Sequence, residues 1–475
     1  MPLVESFSGI RGIFDESLTE QVALRYTYSF FDFLTRKNAN KTLKIVIGTD
    51  TRPSRNIIKN AAVEALNCEI IDLGIAPTPA VEFAVRHYKA DGGIIITASH
   101  NEPYWNGFKF LDKDGAVLRP KDIEKVINCY NKIKGISEAN FLDKCLYKDK
   151  KDISRKKIVR KYEEINHLYP EFVLGFLTKK DIKAIKNSKL RIIIDPNGGT
   201  GIIAKKILER LGVKVIGINM KYGVFNRTIE PNVDSLIYLK SFIEEKKADF
   251  AAAFDCDADR VEMVMPNGRL VSGHYLLALI ADNILSEARG REKQTVVVNN
   301  ATSNIVRKVV EKHNAKLREV EVGEINVADE MRRLNSLVGG EGSSSGVIIK
   351  PSKCRDGILT LLHILKIAAE KRKSLENILK EYPQYCTLAA KIEFKQKHYN
   401  KIRKFLKNHY NKKGYKIREG SAKGSLKILI SKDSFIWFRA SKTEANIFRI
   451  IADATTASEA QKLLDEGKEI LERAK

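Results

Sequence analysis

Three aspartates at alternate positions, in Asp255-Cys256-Asp257-Ala258-Asp259-Arg260, follow the apolar run Phe250-Ala251-Ala252-Ala253-Phe254. In an extended chain a spacing of two puts all three carboxylates on one side. Like charges that close repel one another unless a cation joins them. Carboxylate oxygens are hard ligands suited to Mg²⁺ at about 2.0–2.1 Å, with a phosphate oxygen and water completing the shell. The plain alternative is a polar turn of solvated aspartates. A calcium loop of the EF-hand type would begin alike, but Arg260 stands where that loop needs its turn glycine and Pro266 where it needs a bidentate Glu. A second station, Thr97-Ala98-Ser99-His100-Asn101 running on to Asn106-Gly107-Phe108-Lys109, also follows an apolar strand. It puts Ser99 at the strand's carboxyl end, facing a ligand cleft, where a nucleophile is well placed; a Ser or Asx turn is the bland reading. A hydrolase reading is weaker still, because Thr97 and Asn101 occupy the glycine places of its nucleophile elbow. Adjacent Ser99 and His100 would also point apart rather than pair as in a triad.

Two weaker stations lie downstream. Arg439-Ala440-Ser441-Lys442-Thr443-Glu444 offers a guanidinium fork and two hydroxyls at alternate positions, a set suited to a phosphate dianion and also found in any basic turn. Gly339-Gly340-Glu341-Gly342-Ser343-Ser344-Ser345-Gly346 carries one carboxylate and several hydroxyls; it could bracket sugar hydroxyls or serve as a linker.

The elements that must position these residues alternate short β-branched runs with helical periods. Leu43–Gly48, the helical stretch Ser54–Leu66, Glu69–Leu73, Ala80–Tyr88 and Gly93–Thr97 read as βαβαβ. A second series opens at Leu190–Asp195 and continues through a helix over Gly201–Leu211 to Val213–Gly217. A third series runs from Phe250–Phe254 through a helix over His274–Leu285 to Thr295–Val298. Each predicts a sheet layered with helices, with ligands beyond the carboxyl ends of its strands. In the last hundred residues Lys427–Ile430, Phe435–Phe438 and Asn446–Ile451 read as antiparallel strands and Ser458–Ala474 as a closing helix. Boundaries are expected near residues 150, 250 and 375.

With 475 residues, the chain exceeds the roughly 250–300 at which one core stops growing, so several domains are expected. No apolar window approaches the roughly 18 residues of a membrane span, and the start Met1-Pro2-Leu3-Val4-Glu5-Ser6 does not read as a secretion signal; a cytoplasmic protein is expected. The cysteines at 68, 129, 145, 256, 354 and 386 form no CxxC pair, which predicts free thiols rather than a zinc site. A net charge of +24 attracts anions. The Lys/Arg bursts lack the aromatic interleaving of a nucleic-acid module, so neither a nucleic-acid nor a membrane partner is expected.

Taken in order, T-A-S-H-N…N-G-x-K, D-x-D-x-D-R, G-E-x-S and R-x-S-x-T-E resemble the α-D-phosphohexomutases, the phosphoglucomutase/phosphomannomutase family, over nearly the whole chain. Gly9-Ile10-Arg11-Gly12, Asp50-Thr51-Arg52-Pro53-Ser54, Gly74–Pro79 and Arg355-Asp356-Gly357 support it, and Gly323-Glu324-Ile325-Asn326-Val327-Ala328 is similar to the archaeal branch. The resemblance implies an α/β fold: three related mixed-sheet α/β domains and a C-terminal α+β domain of the TATA-box-binding-like type around a central cleft. It implies a mutase interconverting hexose 1-phosphate and hexose 6-phosphate (glucose and/or mannose) through a phosphoserine and a bisphosphorylated sugar, with hexose 1,6-bisphosphate as activator. The alternatives are a phosphoglucosamine mutase and a non-catalytic sugar-phosphate binder. By motif, Ser99 would carry the phosphoryl group and join Asp255, Asp257 and Asp259 on Mg²⁺. Lys109, Arg11 and His100 would assist proton transfer and charge neutralisation, with Arg260 near the metal. Glu341 and Ser343 would hold sugar hydroxyls, and Arg439, Ser441 and Thr443 the phosphate that is not reacting. The chain departs from the pattern at Cys256, where Gly is usual and a positive φ would strain Cys, at Glu102 for Pro, at Lys442 for Gly and at Ala445 for Pro. Arg449 lies one place beyond the usual spacing, so the resemblance does not carry it over as a phosphate ligand. The sugar loop lacks the His of the bacterial form.

Overall fold

Runs of Ile and Val too apolar to be solvated on either face become central strands covered on both sides, and they build four sheets here. The structure is a computed structural model. It describes residues 3–6, 9–38, 41–141, 143, 156–288, 294–343, 345–421, 424–441 and 446–475. The chain divides into two compact units, residues 1–271 with 351–372, and residues 272–350 with 373–475.

The first unit holds two mixed sheets. One contains β1 (Val4–Ser6), β2 (Gly9–Ile13), β3 (Lys44–Thr49), β4 (Glu69–Ile75), β5 (Gly92–Ile96), β6 (Trp105–Asp112) and β7 (Lys157–Arg160), in the order β1-β2-β6-β5-β3-β4-β7. β5, β3, β4 and β7 run parallel, whereas β6 returns antiparallel to β5 and pairs antiparallel with β2. This antiparallel return sets Lys109 on β6 opposite Ile95 on β5. The helices Glu20–Lys37, Arg55–Glu64 and Pro120–Ile133 seal one core around Ile45, Ile47, Ile94 and Phe108. The second sheet joins β8 (Arg191–Asp195), β9 (Lys214–Gly217), β10 (Phe250–Phe254), β11 (Val261–Val264) and β12 (Leu270–Val271), in the order β12-β11-β10-β8-β9.

Here the architecture corrects the sequence reading. Phe250–Phe254 does not open a third series beyond a boundary near 250; β10 pairs in parallel with β8, with Ala251 opposite Ile193, and antiparallel with β11. The loop carrying the three aspartates is therefore the β10–β11 turn, inside the second sheet. A five-residue apolar run states that a strand is buried but not which neighbour it pairs with. The first unit is completed by the helix Gly357–Lys371, which packs against the helix Lys179–Ser188 and is capped by the Asp356 carboxylate on the Leu359 N–H at 2.9 Å.

The second unit begins with a four-stranded sheet of β13 (Thr295–Asn299), β14 (Lys316–Val320), β15 (Val338–Gly340) and β16 (Val347–Ile349), in the order β14-β13-β15-β16. Its last sheet is fully antiparallel: β17 (Cys386–Glu393), β18 (Lys416–Glu419), β19 (Leu426–Leu429), β20 (Phe435–Ala440) and β21 (Ile447–Ala454) lie in the order β17-β21-β20-β19-β18. The helices Tyr399–Lys412 and Ala457–Ala474 cover its apolar face through Ile402, Leu406, Leu463 and Leu471. No described helix is long and apolar enough to cross a membrane.

Candidate active site

Ser99 sits three residues past the end of β5, in a turn whose backbone at Ser99 is left-handed, with φ of 52°. L-residues adopt that region at a cost and seldom outside special sites. Its Oγ donates to Asp255 Oδ2 at 3.0 Å, a contact spanning 156 residues of sequence. Ser99, Asp255, Asp257 and Asp259 are each at most 1% exposed.

The three aspartates do converge, with a carboxylate oxygen of each within 4.8 Å of the others. Lys109 Nζ reaches Asp257 Oδ2 and Asp259 Oδ2, both at 2.8 Å. The Arg260 amide donates to Asp255 Oδ1 at 3.2 Å, and its guanidinium Nε lies 3.9 Å from Asp259 Oδ1 and 4.0 Å from Asp255 Oδ2. The two ends of the triad are driven apart. Burial and the Asp259 and Asp257 charges push the Asp255 carboxyl well up. Burial works against the ionised Asp259 too, but Arg355, Lys109 and Arg260 together hold it below the ordinary carboxylate range. Asp257 Oδ1 and Asp259 Oδ1 are buried and accept no hydrogen bond from any described residue. Buried carboxylate oxygens left without donors, among three hard ligands on one turn, fit a divalent cation such as Mg²⁺.

Arg11, on β2, donates to Asn101 Oδ1 at 2.9 Å, and burial beside Arg260 pushes its guanidinium down to about 10. His100 is pushed well down by the Arg260 charge, by burial and by Arg11. Its neutral ring keeps Nδ1 buried and unpartnered among the described residues. Ser99, Lys109, the three aspartates, Arg260, Arg11 and His100 thus form one basic-walled acidic centre within the first unit.

Sequence reasoning assigned no role to two residues that complete this centre. Thr78 opens the helix Thr78–His87; its backbone N–H donates to the Asp257 carbonyl at 2.9 Å and its Oγ1 to Asp257 Oδ2 at 2.6 Å. Arg355 Nη2 lies 3.4 Å from Asp259 Oδ2. Both stand in noted motifs, Gly74–Pro79 and Arg355–Gly357, but neither spacing says what the side chain meets. Cys256 does not take a positive φ; the left-handed residue of the turn is Ala258, with φ of 54°. The glycine stands across from it instead: a Cβ on Gly199 would lie 2.7 Å from the Cys256 carbonyl oxygen. This lets the Pro196–Thr200 turn close on the aspartate loop, and Thr200 N–H and Oγ1 donate to that carbonyl at 2.8 and 3.1 Å.

In the second unit Glu341 Oε1 accepts the Asn299 Nδ2 donor at 3.0 Å and the Gly323 N–H at 2.8 Å, which fixes the carboxylate at the end of β15. Ser343 is exposed, with its Oγ 3.5 Å from Asn299 Nδ2. Arg439, near the end of β20, is buried; its Nε has no hydrogen-bond partner among the described residues. Burial lowers its affinity for the proton, against the pull of the Glu321 and Glu341 carboxylates. Ser441 holds the strand end by donating its N–H to the Ile447 carbonyl at 2.7 Å. Thr443, with Lys442 and Ala445, lies outside the described residues. Arg449, which spacing had left aside, sits directly opposite Arg439 across β20 and β21, and Lys391 sits opposite Arg449 on β17. Three cations in one cross-strand row repel unless an anion lies among them.

Family models for the phosphoglucomutase/phosphomannomutase α/β/α domains I, II and III match residues 5–136, 170–268 and 272–385. A Thermococcus kodakarensis protein named phosphoglucomutase/phosphomannomutase is 33% identical over 484 residues, covering 98% of each chain. This chain belongs to the phosphoglucomutase/phosphomannomutase family. A probable phosphoglucosamine mutase of Pyrococcus abyssi is 32% identical over 98% of this phosphohexomutase and 97% of its own length. The solved structure of a putative phosphomannomutase from Thermus thermophilus superposes with a TM-score of 0.78 over 99% of both chains at 23% identity, which shows the shared fold. As a phosphohexomutase the chain is an isomerase, an intramolecular phosphotransferase, and its acidic triad brings together three carboxylates that could hold a metal ion.

Proposed function

We propose that this phosphohexomutase interconverts hexose 1-phosphate and hexose 6-phosphate, of glucose and/or mannose, through a phosphoserine at Ser99 and a bisphosphorylated sugar. The observation that carries the reading is Ser99 Oγ at 3.0 Å from Asp255 inside a triad in which two carboxylate oxygens accept no hydrogen bond from the described residues. Asp255, Asp257, Asp259 and the Ser99 phosphoryl group would hold Mg²⁺. When bound, the ion draws negative charge from the phosphoryl oxygens in transfer.

The rest falls to the chain's own groups. In the first transfer the P–O bond to Ser99 breaks and a new P–O bond forms to the free hydroxyl of the sugar phosphate. The hydroxyl proton passes to a nearby base, with neutral His100 the candidate, and Ser99 Oγ recovers a proton from the Lys109 ammonium, which His100 then reprotonates. In the second transfer the bisphosphate, turned end over end, returns its other phosphoryl group to Ser99. Lys109, Arg11 and Arg260 neutralise charge at the reacting end; positioning and neutralisation are what phosphoryl transfer requires most. Glu341 and Ser343 would take sugar hydroxyls, and Arg439, Ser441 and Thr443 the distal phosphate, with Arg449 added by its place opposite Arg439.

The test is intact mass before and after incubation with glucose 1,6-bisphosphate and Mg²⁺. A gain of one phosphoryl group, lost with Ser99→Ala and discharged by hexose monophosphate, is expected. A wild type that neither carries nor accepts phosphate overturns the reading in favour of a sugar-phosphate binder. A phosphoglucosamine mutase is the second reading, favoured by the Pyrococcus relative. Relative rates on glucose 1-phosphate, mannose 1-phosphate and glucosamine 1-phosphate separate the two. The reading includes action in the cytoplasm, supported by free thiols at Cys68, Cys129, Cys256, Cys354 and Cys386.

A further inference from the structure

Behind the Ser99 turn lies a buried arginine that takes no part in the chemistry above. Arg52 is 0% exposed, and every nitrogen of its guanidinium is engaged. Nε donates to Asp50 Oδ2 at 3.0 Å. Nη1 donates to the carbonyls of Glu102 and Trp105 at 2.5 and 3.1 Å, and Nη2 to those of Ser99 and Asn101 at 2.8 and 2.6 Å. Asp50 answers from the other side: its Oδ2 accepts the Thr97 hydroxyl at 2.7 Å, and Thr97 Oγ1 accepts the Ser99 N–H at 2.8 Å. Ser99 is therefore gripped at both of its peptide groups, its N–H through Thr97 and its C=O through Arg52, and both grips are tied to the Asp50 carboxylate.

A stretch of four carbonyls converging on one point needs a planar, multi-pronged donor. The guanidinium has five N–H groups in a fixed fork, whereas a lysine ammonium gathers three on one atom. Asp50 neutralises the buried charge. An L-residue held at a positive φ persists only where its surroundings over-determine it, and this circuit supplies that constraint.

We propose that Arg52, with Asp50 and Thr97, is the positioning assembly that holds Ser99 in its left-handed backbone, from which Oγ meets Asp255 and the transferred phosphoryl group. The inference rests on the phosphoserine reading for its catalytic consequence. The three residues touch neither the reacting atoms nor the triad; they set where the nucleophile stands at each of the two transfers.

Because Arg52→Lys removes a buried fork and endangers folding, the deciding variant is Thr97→Val, which keeps the shape and loses the hydroxyl, with Thr97→Ser as its rescue. The measurements are kcat and KM on hexose monophosphate, thermal unfolding, Ser99 phosphate uptake by mass, and amide hydrogen exchange over residues 98–106. Thr97→Val is expected to lower kcat roughly 10- to 100-fold with KM within about two-fold, and Thr97→Ser to stay within about three-fold of wild type. Exchange over 98–106 is expected to rise in Thr97→Val while the rest of the first sheet stays protected. Unchanged exchange there, or a kcat that falls only in step with the folded fraction, overturns the proposal. Should the wild type take up no phosphate, the phosphoserine reading fails by itself, and the exchange over 98–106 alone decides whether the assembly holds the turn.

Discussion

Asp257 Oδ2 accepts Thr78 Oγ1 at 2.6 Å beside the Lys109 ammonium at 2.8 Å, leaving Oδ1 free of hydrogen bonds within the described residues. One oxygen is thereby anchored and the other aimed, the arrangement by which an outer partner orients a metal-binding carboxylate. Thr78→Val is expected to weaken divalent-cation affinity by about 10-fold with the fold intact, as such outer partners do. Titration of Mn²⁺ by electron paramagnetic resonance checks it, and an unchanged affinity would show that the hydroxyl has no part in aiming Asp257. At this scale the sequence was legible wherever chemistry announces itself by type and spacing. Alternate aspartates and a serine after a strand mark themselves. Thr78 and Arg355 were not legible, because a hydroxyl at a helix start and a single arginine are ordinary residues until a partner 179 or 96 positions away meets them.

His363 gives the helix Gly357–Lys371 a pH signature. Both its ring nitrogens are buried without hydrogen-bond partners among the described residues, Phe176 stands edge-on to the ring, and Lys366 and Asp181 are the charges that act on it. Burial first, then Lys366, pushes its pKa down to about 3, with Asp181 opposing. The unfolded histidine, near 6.5, takes a proton that the folded one refuses. The neutral ring's contribution is whole above about pH 6.5 and falls by about 1.4 kcal/mol per unit as pH drops toward 3. His363→Leu removes that term: urea unfolding is expected to show the variant near wild type at pH 8 and ahead by about 2 kcal/mol at pH 5. Parallel losses in both proteins would discount the histidine. Elements were legible where an Ile/Val run or an apolar helix stands between clear turn signals, whereas β6 and the helix Gly357–Lys371, buried along most of their length, were not read from the sequence. The Ile/Val strands β3, β5, β8 and β13 and the helix Gly273–Glu287 lie within a residue or two of their expected places. β17, half exposed along Cys386–Glu393, and the helices Lys179–Ser188 and Tyr399–Lys412, whose few apolar residues stand among lysines and other polar residues, were not read from the sequence. The placing of β10 needed a parallel partner more than fifty residues earlier, and no local pattern encodes that pairing.

Over the whole molecule the net charge of +24 acts on a substrate that carries a phosphate dianion. Long-range attraction of this kind raises the rate of encounter and is screened once the Debye length shrinks from about 20 Å to about 6 Å. Raising KCl from about 0.02 to 0.3 M at fixed free Mg²⁺ is expected to lower kcat/KM several-fold while kcat changes little; a flat kcat/KM would mean the surface charge does not steer substrate. The first unit is also discontinuous in sequence, since residues 351–372 rejoin residues 1–271. Arg355 beside Asp259, the Gly357 N–H on the Ala258 carbonyl and the helix Gly357–Lys371 all come from that late segment. On the ribosome Ser99 and the three aspartates emerge early, yet Arg355, one of the three cations that hold Asp259 down, and the helix that closes the unit have not been synthesised. A growing chain therefore lacks part of the acidic centre, and the helix that completes its first unit, until translation passes Arg372.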